Sequence, residues 1–288
     1  MFSKKMHMKK ILFVLTTLLS LSATAQIKMP AASPTQTLSQ DFGMGKVDIT
    51  YSRPALKGRA AFGNGSVLAP TGVVWRTGAN GATKLTFSHP VTIGGKLLAA
   101  GSYALFTIPG ETAWTIIINT NTNSWGSFSY KEAEDVVRFQ VKPETTSNST
   151  ENFTINIANI TPETATISLK WAKTLVNIPF STDIKTAIRA QVKEATSGAN
   201  VNPNVYQAAA NFYYDMDKDY DNALVFVDKA IAANAKAYWL LLLKGKVQKE
   251  LGDKKGAIAS AEACKKTATE EKNDDYVRNA NELLASLK

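Results

Sequence analysis

Histidine and cysteine are nearly absent from this chain. Among 288 residues there are two His, His7 and His89, and one Cys, Cys264. A zinc centre built from His and Cys takes three or four such ligands, so no site of that kind fits within one chain. A single cysteine likewise excludes an internal disulfide, whatever the redox compartment. A catalytic triad or a Cys-His arrangement would have to recruit His89. That residue stands directly before Pro90 in "FSHPVTI", at a strand break, and reads as a turn histidine. Cys264 falls where helices touch and reads as a small buried filler. No metal and no cofactor is indicated.

Clustered charge of one sign is missing too. The formal charge is +9, but Lys4, Lys5, Lys9 and Lys10 crowd the first ten residues, and without them the balance is about +5. The remaining arginines are scattered and the C-terminal lysines alternate with acids, so nothing marks a nucleic-acid footprint. Those first lysines belong to a three-part leader. "MFSKKMHMKK" is basic, "ILFVLTTLLSLS" is apolar, and Ala23-Thr24-Ala25 is a small-x-small cleavage site. The apolar part is short of the roughly 20 residues that span a bilayer. The expectation is a signal peptide over 1–25, a mature chain from Gln26 without a transmembrane segment, and a periplasmic or extracellular location. No cysteine lies near the cut, so a lipid anchor has nothing to attach to.

Beyond the leader the hydrophobic period changes once. From about residue 34 to 180 it is two: Val47, Ile49 and Tyr51; Leu85 and Phe87; Phe153, Ile155 and Ile157; Ile167, Leu169 and Trp171. "AWTIIIN" is nearly continuous, as for a strand buried on both faces, and Gly94-Gly95, Pro109-Gly110 and Thr161-Pro162-Glu163 punctuate the runs as turns. The polar stretch "KPETTSNSTEN" (142–152) reads as an exposed loop. Nine or ten short strands without intervening helices predict an antiparallel β-sandwich or jelly-roll-like domain over 26–180.

After Phe180 the period becomes about 3.6. "STDIKTAIRAQVKEATSG" opens on capping residues and closes at Gly198; Asn202 and Pro203 cap the next helix; four more follow at about 219–233, 237–251, 253–269 and 273–287. "DYDNALVFVDKAI" and "DKKGAIASAEACKK" align at an offset of 34 residues, with Ala223 over Ala257 and Ala230 over Cys264. This half, 181–288, resembles a tetratricopeptide repeat array of two units and a capping helix, although Asn211 departs from the usual small residue and no proline closes the first unit. Such arrays bind protein partners in a concave groove, here assigned to Phe212, Trp239, Lys246 and Lys249. A generic helical bundle is the alternative.

The stretch "VVWRTGANGATKLTF" (73–87) draws the eye in the β half. It reads as a strand, a Thr-Gly-Ala-Asn-Gly turn and a second strand, with Trp75 and Arg76 on opposite faces. Trp75 suits the core. Arg76 and Asn80, with Arg53 of "YSRPALKGR", are candidates for a polar pocket beside the rings of Trp125 and Tyr130, since Arg offers a planar fork and Asn both a donor and an acceptor. The bland alternative makes both arginines structural.

"SPTQTLSQDFGMGKVDITYSRPALKGR", "GVVWRTGANGATKLTFS", "AAGSYALFTIPGETAWTIIINT" and "WGSFSYKEAEDVVRF" together resemble the DUF2911 family of secreted bacterial proteins, common in Bacteroidetes, over roughly 33–180. The resemblance implies a β-rich extracytoplasmic domain of a bacterial envelope and carries over no catalytic residues. The reading is therefore a non-enzymatic binding or assembly protein, its β domain recognising a small polar ligand or glycan and its helices a protein partner. The alternative is a carboxylate-dependent hydrolase of envelope glycans or peptides drawing on acids such as Glu111, Glu132, Glu134 and Asp135.

Overall fold

The computed structural model of the protein describes residues 29–288, so the leader and its cleavage site lie outside the described residues. The β-rich half is built from two antiparallel sheets. The larger is assembled from β1 (Thr35–Phe42), β2 (Gly45–Ser52), β5 (Thr83–Phe87), β8 (Gly101–Ile108), β9 (Trp114–Asn119) and β10 (Asp135–Val141), side by side in that order. The smaller has the order β11 (Glu144–Ala158), β12 (Thr164–Ser181), β6 (Val91–Ile93) and β7 (Lys96–Leu98). A two-residue parallel pair, β3 (Phe62–Gly63) with β4 (Ala69–Pro70), lies apart from both.

The period-two residues explain why the sheets close on one another. Val47, Ile49, Tyr51, Leu85 and Phe87 of the larger sheet share a single buried core with Phe153, Ile155, Ile157, Ile167, Leu169 and Trp171 of the smaller. β9 is buried on both sides, as its unbroken apolar run predicts. Ile116 and Ile118 enter the shared core, while Ile117 joins Ala104 and Phe106 on the outer face, under Val74, Ala82 and Tyr130. At the centre of the core five aromatic rings meet. Trp75 stacks on Trp171 at 5.7 Å, and Phe62, Trp114 and Phe153 approach it edge-on at 5.0–6.3 Å. The Gly94-Gly95 turn is needed for a separate reason. Gly94 has φ +57, and a Cβ there would lie 2.2 Å from the Phe139 ring.

Two expectations are corrected. Residues 142–152 are not a loop, because β11 runs through most of them. Its outer half pairs with β12, an 18-residue strand bent by register shifts near Ala172, whose φ is +48. A strand paired at the backbone but wet on both faces carries no hydrophobic alternation to read. Nor is "VVWR" a strand leading into a hairpin. Only Trp75 pairs, with Thr107 of β8, in the same line and direction as β5. Arg76–Ala82 is thus looped out of that line rather than turned back.

The C-terminal half comprises α1 (Ile184–Ala195), α2 (Pro203–Asn211), α3 (Tyr220–Ala233), α4 (Tyr238–Glu250), α5 (Lys254–Glu270) and α6 (Asp274–Ala285). Side-chain caps set their starts: Asp183, Asn202, Asp219, Asp253 and Asn273 each accept a hydrogen bond from a backbone N–H of the first turn. α1 stops at Ala195 rather than Gly198, with Thr196 Oγ1 donating back to the Val192 carbonyl. Each helix from α2 onward packs on the next, and α4 also packs on α6. The residues paired by the 34-residue offset are those buried between helices: Ala223 and Ala257, Ala230 and Cys264. Gly245 lets α4 come close, since a Cβ there would meet Leu283 at 2.9 Å. These residues form cores separate from that of the sheets. No helix among the described residues is long and apolar enough to cross a membrane.

The aromatic centre makes a stability prediction. Trp171 is 1% exposed and Trp125 is 70% exposed. Trp171→Ala is expected to cost about 3–5 kcal/mol in urea unfolding followed by circular dichroism, and Trp125→Ala under about 0.5 kcal/mol. Equal costs would place the core elsewhere.

Candidate functional site

The excursion at 76–82 is held from all sides. Trp75 exchanges both backbone hydrogen bonds with Thr107, at 2.7 and 2.9 Å, and the Thr83 N–H donates to the Arg76 carbonyl at 3.1 Å, closing the base of the loop. Inside it, the Trp75 indole N–H donates to the Gly78 carbonyl at 3.0 Å, and the Thr77 hydroxyl meets that of Thr107 at 3.1 Å. The Thr83 hydroxyl donates to the Thr77 carbonyl. Compact loops with closed bases of this sort are frequent carriers of function. Its backbone is strained as well. Thr77 has φ +54 and Asn80 φ +60, a left-handed region in which a β-branched threonine is uncommon. At Gly78, φ is +150 and a Cβ would lie 2.9 Å from the Ser52 carbonyl oxygen, so only glycine fits.

A second loop docks on the first. Gly126 N–H donates to the Asn80 carbonyl and Ala82 N–H to the Ser124 carbonyl, each at 2.9 Å. This presents Trp125, 70% exposed, and Phe128, 90% exposed, beside the Arg76 loop. On another side a cleft of about 630 Å³ opens, lined by Arg76, Gly78 and Ala79, by Lys57 and Arg59, and by Leu68 and Trp171. Its size falls within the range of small-molecule sites.

Arg76 differs from the other five arginines. Arg53 donates to the Phe153 carbonyl and the Thr154 hydroxyl, Arg59 to the carbonyls of Ala55 and Leu56. Arg138, Arg189 and Arg278 pair with acids. Arg76 alone of these arginines has no side-chain hydrogen bond or ion pair among the described residues, and its Nε is buried without a partner. Burial pushes its pKa down from the usual arginine value. A desolvated cationic donor without an acceptor is a cost the fold bears for nothing in its own interior.

The sequence candidates therefore separate. Arg53, Arg76 and Asn80 are near one another along the loops, but only Arg76 lines the cleft. Arg53 ties β2 to β11, and Asn80 is a clasp whose side-chain amide donates to the Ser33 carbonyl and the Ser52 hydroxyl at 3.3 and 3.1 Å. Trp75 is core. Trp125 is presented to solvent. Tyr130 turns away into an ionic cluster, where its hydroxyl donates to Asp135 at 2.6 Å and accepts from Arg138, while Asn119 donates to the other Asp135 oxygen at 2.8 Å. Lys57, Arg59 and Phe128 were missed. Their signals were present in "LKGR" and "WGSF", but neither run shows in sequence that it faces Arg76. His89 packs on Phe42 at 5.9 Å with Nε2 buried and unpartnered, and burial lowers its pKa.

The helical candidates separate too. Trp239 and Lys246 line a groove of about 260 Å³ with Gln207, Asn211, Tyr214 and Tyr276, and Trp239 Nε1 donates to Gln207 at 3.1 Å. Lys249 lies in the adjoining recess and donates to Ser286 at 2.9 Å. Phe212 is corrected: it is 7% exposed, inside the helical core. A π-helical turn, Phe212–Asp217, follows α2 directly. Asn211, the last residue of α2, and Tyr214, within the π turn, line the groove in its place.

Comparison with known proteins places the folded β half. A family model described as proteins of unknown function, DUF2911, matches residues 33–180, slightly more than half of the chain. The chain belongs to the DUF2911 family. No curated protein and no solved structure matches it. The cleft, the Arg76 loop and the Trp125 loop fall almost wholly within the DUF2911 region, whereas the helical groove lies outside it.

Two predictions distinguish site from scaffold within the DUF2911 region. Arg76→Met keeps the aliphatic packing and removes an unpaired cation, so it is expected to stabilise the ligand-free protein by about 1 kcal/mol. Arg53→Met removes charged donors from two oxygens and should destabilise by about 1.5–3 kcal/mol. Chemical denaturation checks both, and parallel losses would make Arg76 structural. Burial and the Asp135 hydrogen bond raise the Tyr130 pKa to about 12 from 10.0. A raised folded pKa means stability present below pH 10 and lost as pH climbs towards 12. Burial also raises the pKa of Tyr51, Tyr213 and Tyr214, so ultraviolet titration should find several late-ionising phenols, and Tyr130→Phe should reduce their number by one.

Proposed function

We propose that this protein is an exported, non-enzymatic binding protein of a bacterial envelope. In this reading the β half is a jelly-roll-like sandwich that takes a small polar ligand or glycan at the Arg76 cleft. The helical half is a tetratricopeptide-like array whose groove, at Trp239 and Lys246, holds a protein partner. One observation carries the β-half assignment: Arg76 is half-buried at a ligand-sized cleft with its Nε unpartnered. Evolved interiors satisfy buried donors, and a guanidinium without a side-chain partner at the wall of a cleft leaves its outer nitrogens for a ligand. The rings of Trp125 and Phe128 on the neighbouring loop add flat apolar surface of the kind a sugar face can cover. Export rests on the three-part leader, and the repeat reading on the 34-residue spacing of the buried small residues.

The hydrolase reading has one observation in its favour. Glu111 and Glu144 line a separate cleft of about 300 Å³ with Trp114, and Asn177 donates to Glu144 at 3.0 Å. No carboxylate side chain lines the Arg76 cleft, so binding and hydrolysis would occupy different places.

A thermal-shift screen with envelope saccharides, peptidoglycan fragments, nucleotides and small acids tests the binding assignment. A ligand at a hundred times its dissociation constant stabilises by about 2.7 kcal/mol, several degrees in Tm for a domain of this size. The expected result is a shift that Arg76→Met abolishes. A shift that survives Arg76→Met and vanishes in Glu111→Gln would transfer the site to the other cleft.

A further inference from the structure

The charge around the cleft is one-sided in a way the sequence does not reveal. Three cationic side chains line it, Lys57, Arg59 and Arg76, and no acid does. One acid adjoins it: Glu151, whose carboxylate accepts the Lys57 backbone N–H at 2.8 Å. That contact fixes the turn carrying Lys57, whose φ is +49, and leaves the Lys57 ammonium free of an ion pair among the described residues. The loop after β2 and the loop before the neighbouring β5 thus bring cations to one concavity. Arg59 is anchored through Nε and Nη2 to the carbonyls of its own turn, which holds its guanidinium in place without neutralising it. The remaining wall is mostly apolar, with Pro54, Val67, Leu68 and Ala79 alongside Ser33.

Three cations around one concavity, none neutralised by an acid and one of them half-buried, give it a positive potential that favours an anionic guest. Resting on the binding assignment above, we infer that the cleft is a site for an organic anion, its carboxylate or phosphate seated on Arg76 with Arg59 and Lys57 flanking, and its apolar face against Val67 and Leu68. A guanidinium fork suits either oxyanion, since both offer two oxygens in one plane to parallel N–H donors. The apolar wall selects for a carbon skeleton over a bare inorganic ion.

Calorimetric titration of the purified protein at low ionic strength with glucose, glucuronate, glucose 6-phosphate and inorganic phosphate tests this. The first three share a skeleton and differ in charge. At least one of the two charged sugars is expected to bind ten times or more tightly than glucose and more tightly than inorganic phosphate, and to weaken as salt rises. Arg76→Gln should lose at least tenfold, and Arg76→Lys, which keeps the charge without the fork, should fall between. Arg59→Gln and Lys57→Gln, both exposed and outside the core, should each lose severalfold, which keeps the test valid if Arg76→Gln does not fold. Glucose binding as tightly as the anions, with both lost in Arg76→Gln, would overturn the anion assignment and leave the cleft a binding site. Anion binding indifferent to all four substitutions would overturn the anion assignment at this cleft. Absence of binding by all four probes would overturn the anion assignment and count against the binding assignment together.

Discussion

A buried indole N–H must find an acceptor, and in this protein meeting that demand shapes the β half. Trp75 is stacked on Trp171 and ringed by Phe62, Trp114 and Phe153, so its ring cannot turn towards water. The acceptor is the Gly78 carbonyl, three residues on, and reaching it folds the chain over the ring. The loop this creates runs through left-handed backbone at Thr77 and Asn80 and presses Gly78 against the Ser52 carbonyl. Arg76, next to the indole in sequence, has no freedom to follow the core. It is carried to the outside of the same loop and faces the cleft. Core packing and site geometry thus share one anchor, and a change at the indole would disturb both.

Local strain of this kind costs on the order of 1–3 kcal/mol per residue. A core of five aromatic rings has stabilisation to spare, and the unpaired Arg76 draws on the same reserve. The contrast with Arg138 is instructive. That guanidinium meets Asp135, Glu132 and the Tyr130 hydroxyl, and the cluster closes the end of β10 against the loop before it. Arg138 explains itself by its neighbours and needs no ligand. Arg76 lies deeper, half-buried where Arg138 is exposed, and has no such neighbours. The difference between a structural cation and a binding one lies in that accounting rather than in burial or position alone.

How much of this was legible in the sequence follows from which interactions are local. Alternating Val47, Ile49 and Tyr51, and later Ile167, Leu169 and Trp171, announced half-buried strands because each residue's face is set by its own parity. Helix starts were legible for the same reason: Asp183, Asn202, Asp219, Asp253 and Asn273 act on N–H groups two or three residues away. What could not be read depended on distant partners. The polar strand at 144–151 exists because β12 is long enough to pair with it. The looped-out course of 76–82 exists because β8 continues to Thr107 and pairs with Trp75. Arg53 and Arg76 look alike in sequence, each beside a β-branched or aromatic run, and only the arrival of Phe153 and Thr154 from β11 makes one of them structural. The neighbours of Arg76 in the cleft, Lys57 and Arg59, are separated from it by two short strands, so no spacing rule could join them.

The helical half makes the complementary point about insertion. Its buried small residues repeat faithfully, Ala223 with Ala257 and Ala230 with Cys264, because close helix approach tolerates nothing larger. The groove does not repeat, because the π turn at Phe212–Asp217 breaks the phase of the first pair. One added residue rotates everything after it by roughly a third of a turn. Phe212, where the turn begins, lies in the core, while Asn211 and Tyr214 line the groove beside Trp239 and Lys246. The turn ends at Lys218, held at φ +60, and Arg189 of α1 reaches across to Asp217 within it. The distortion is held at its C-terminal end by the left-handed Lys218 and the Arg189–Asp217 ion pair. The small residues buried between the helices, Ala223, Ala230, Ala257 and Cys264, lie outside it.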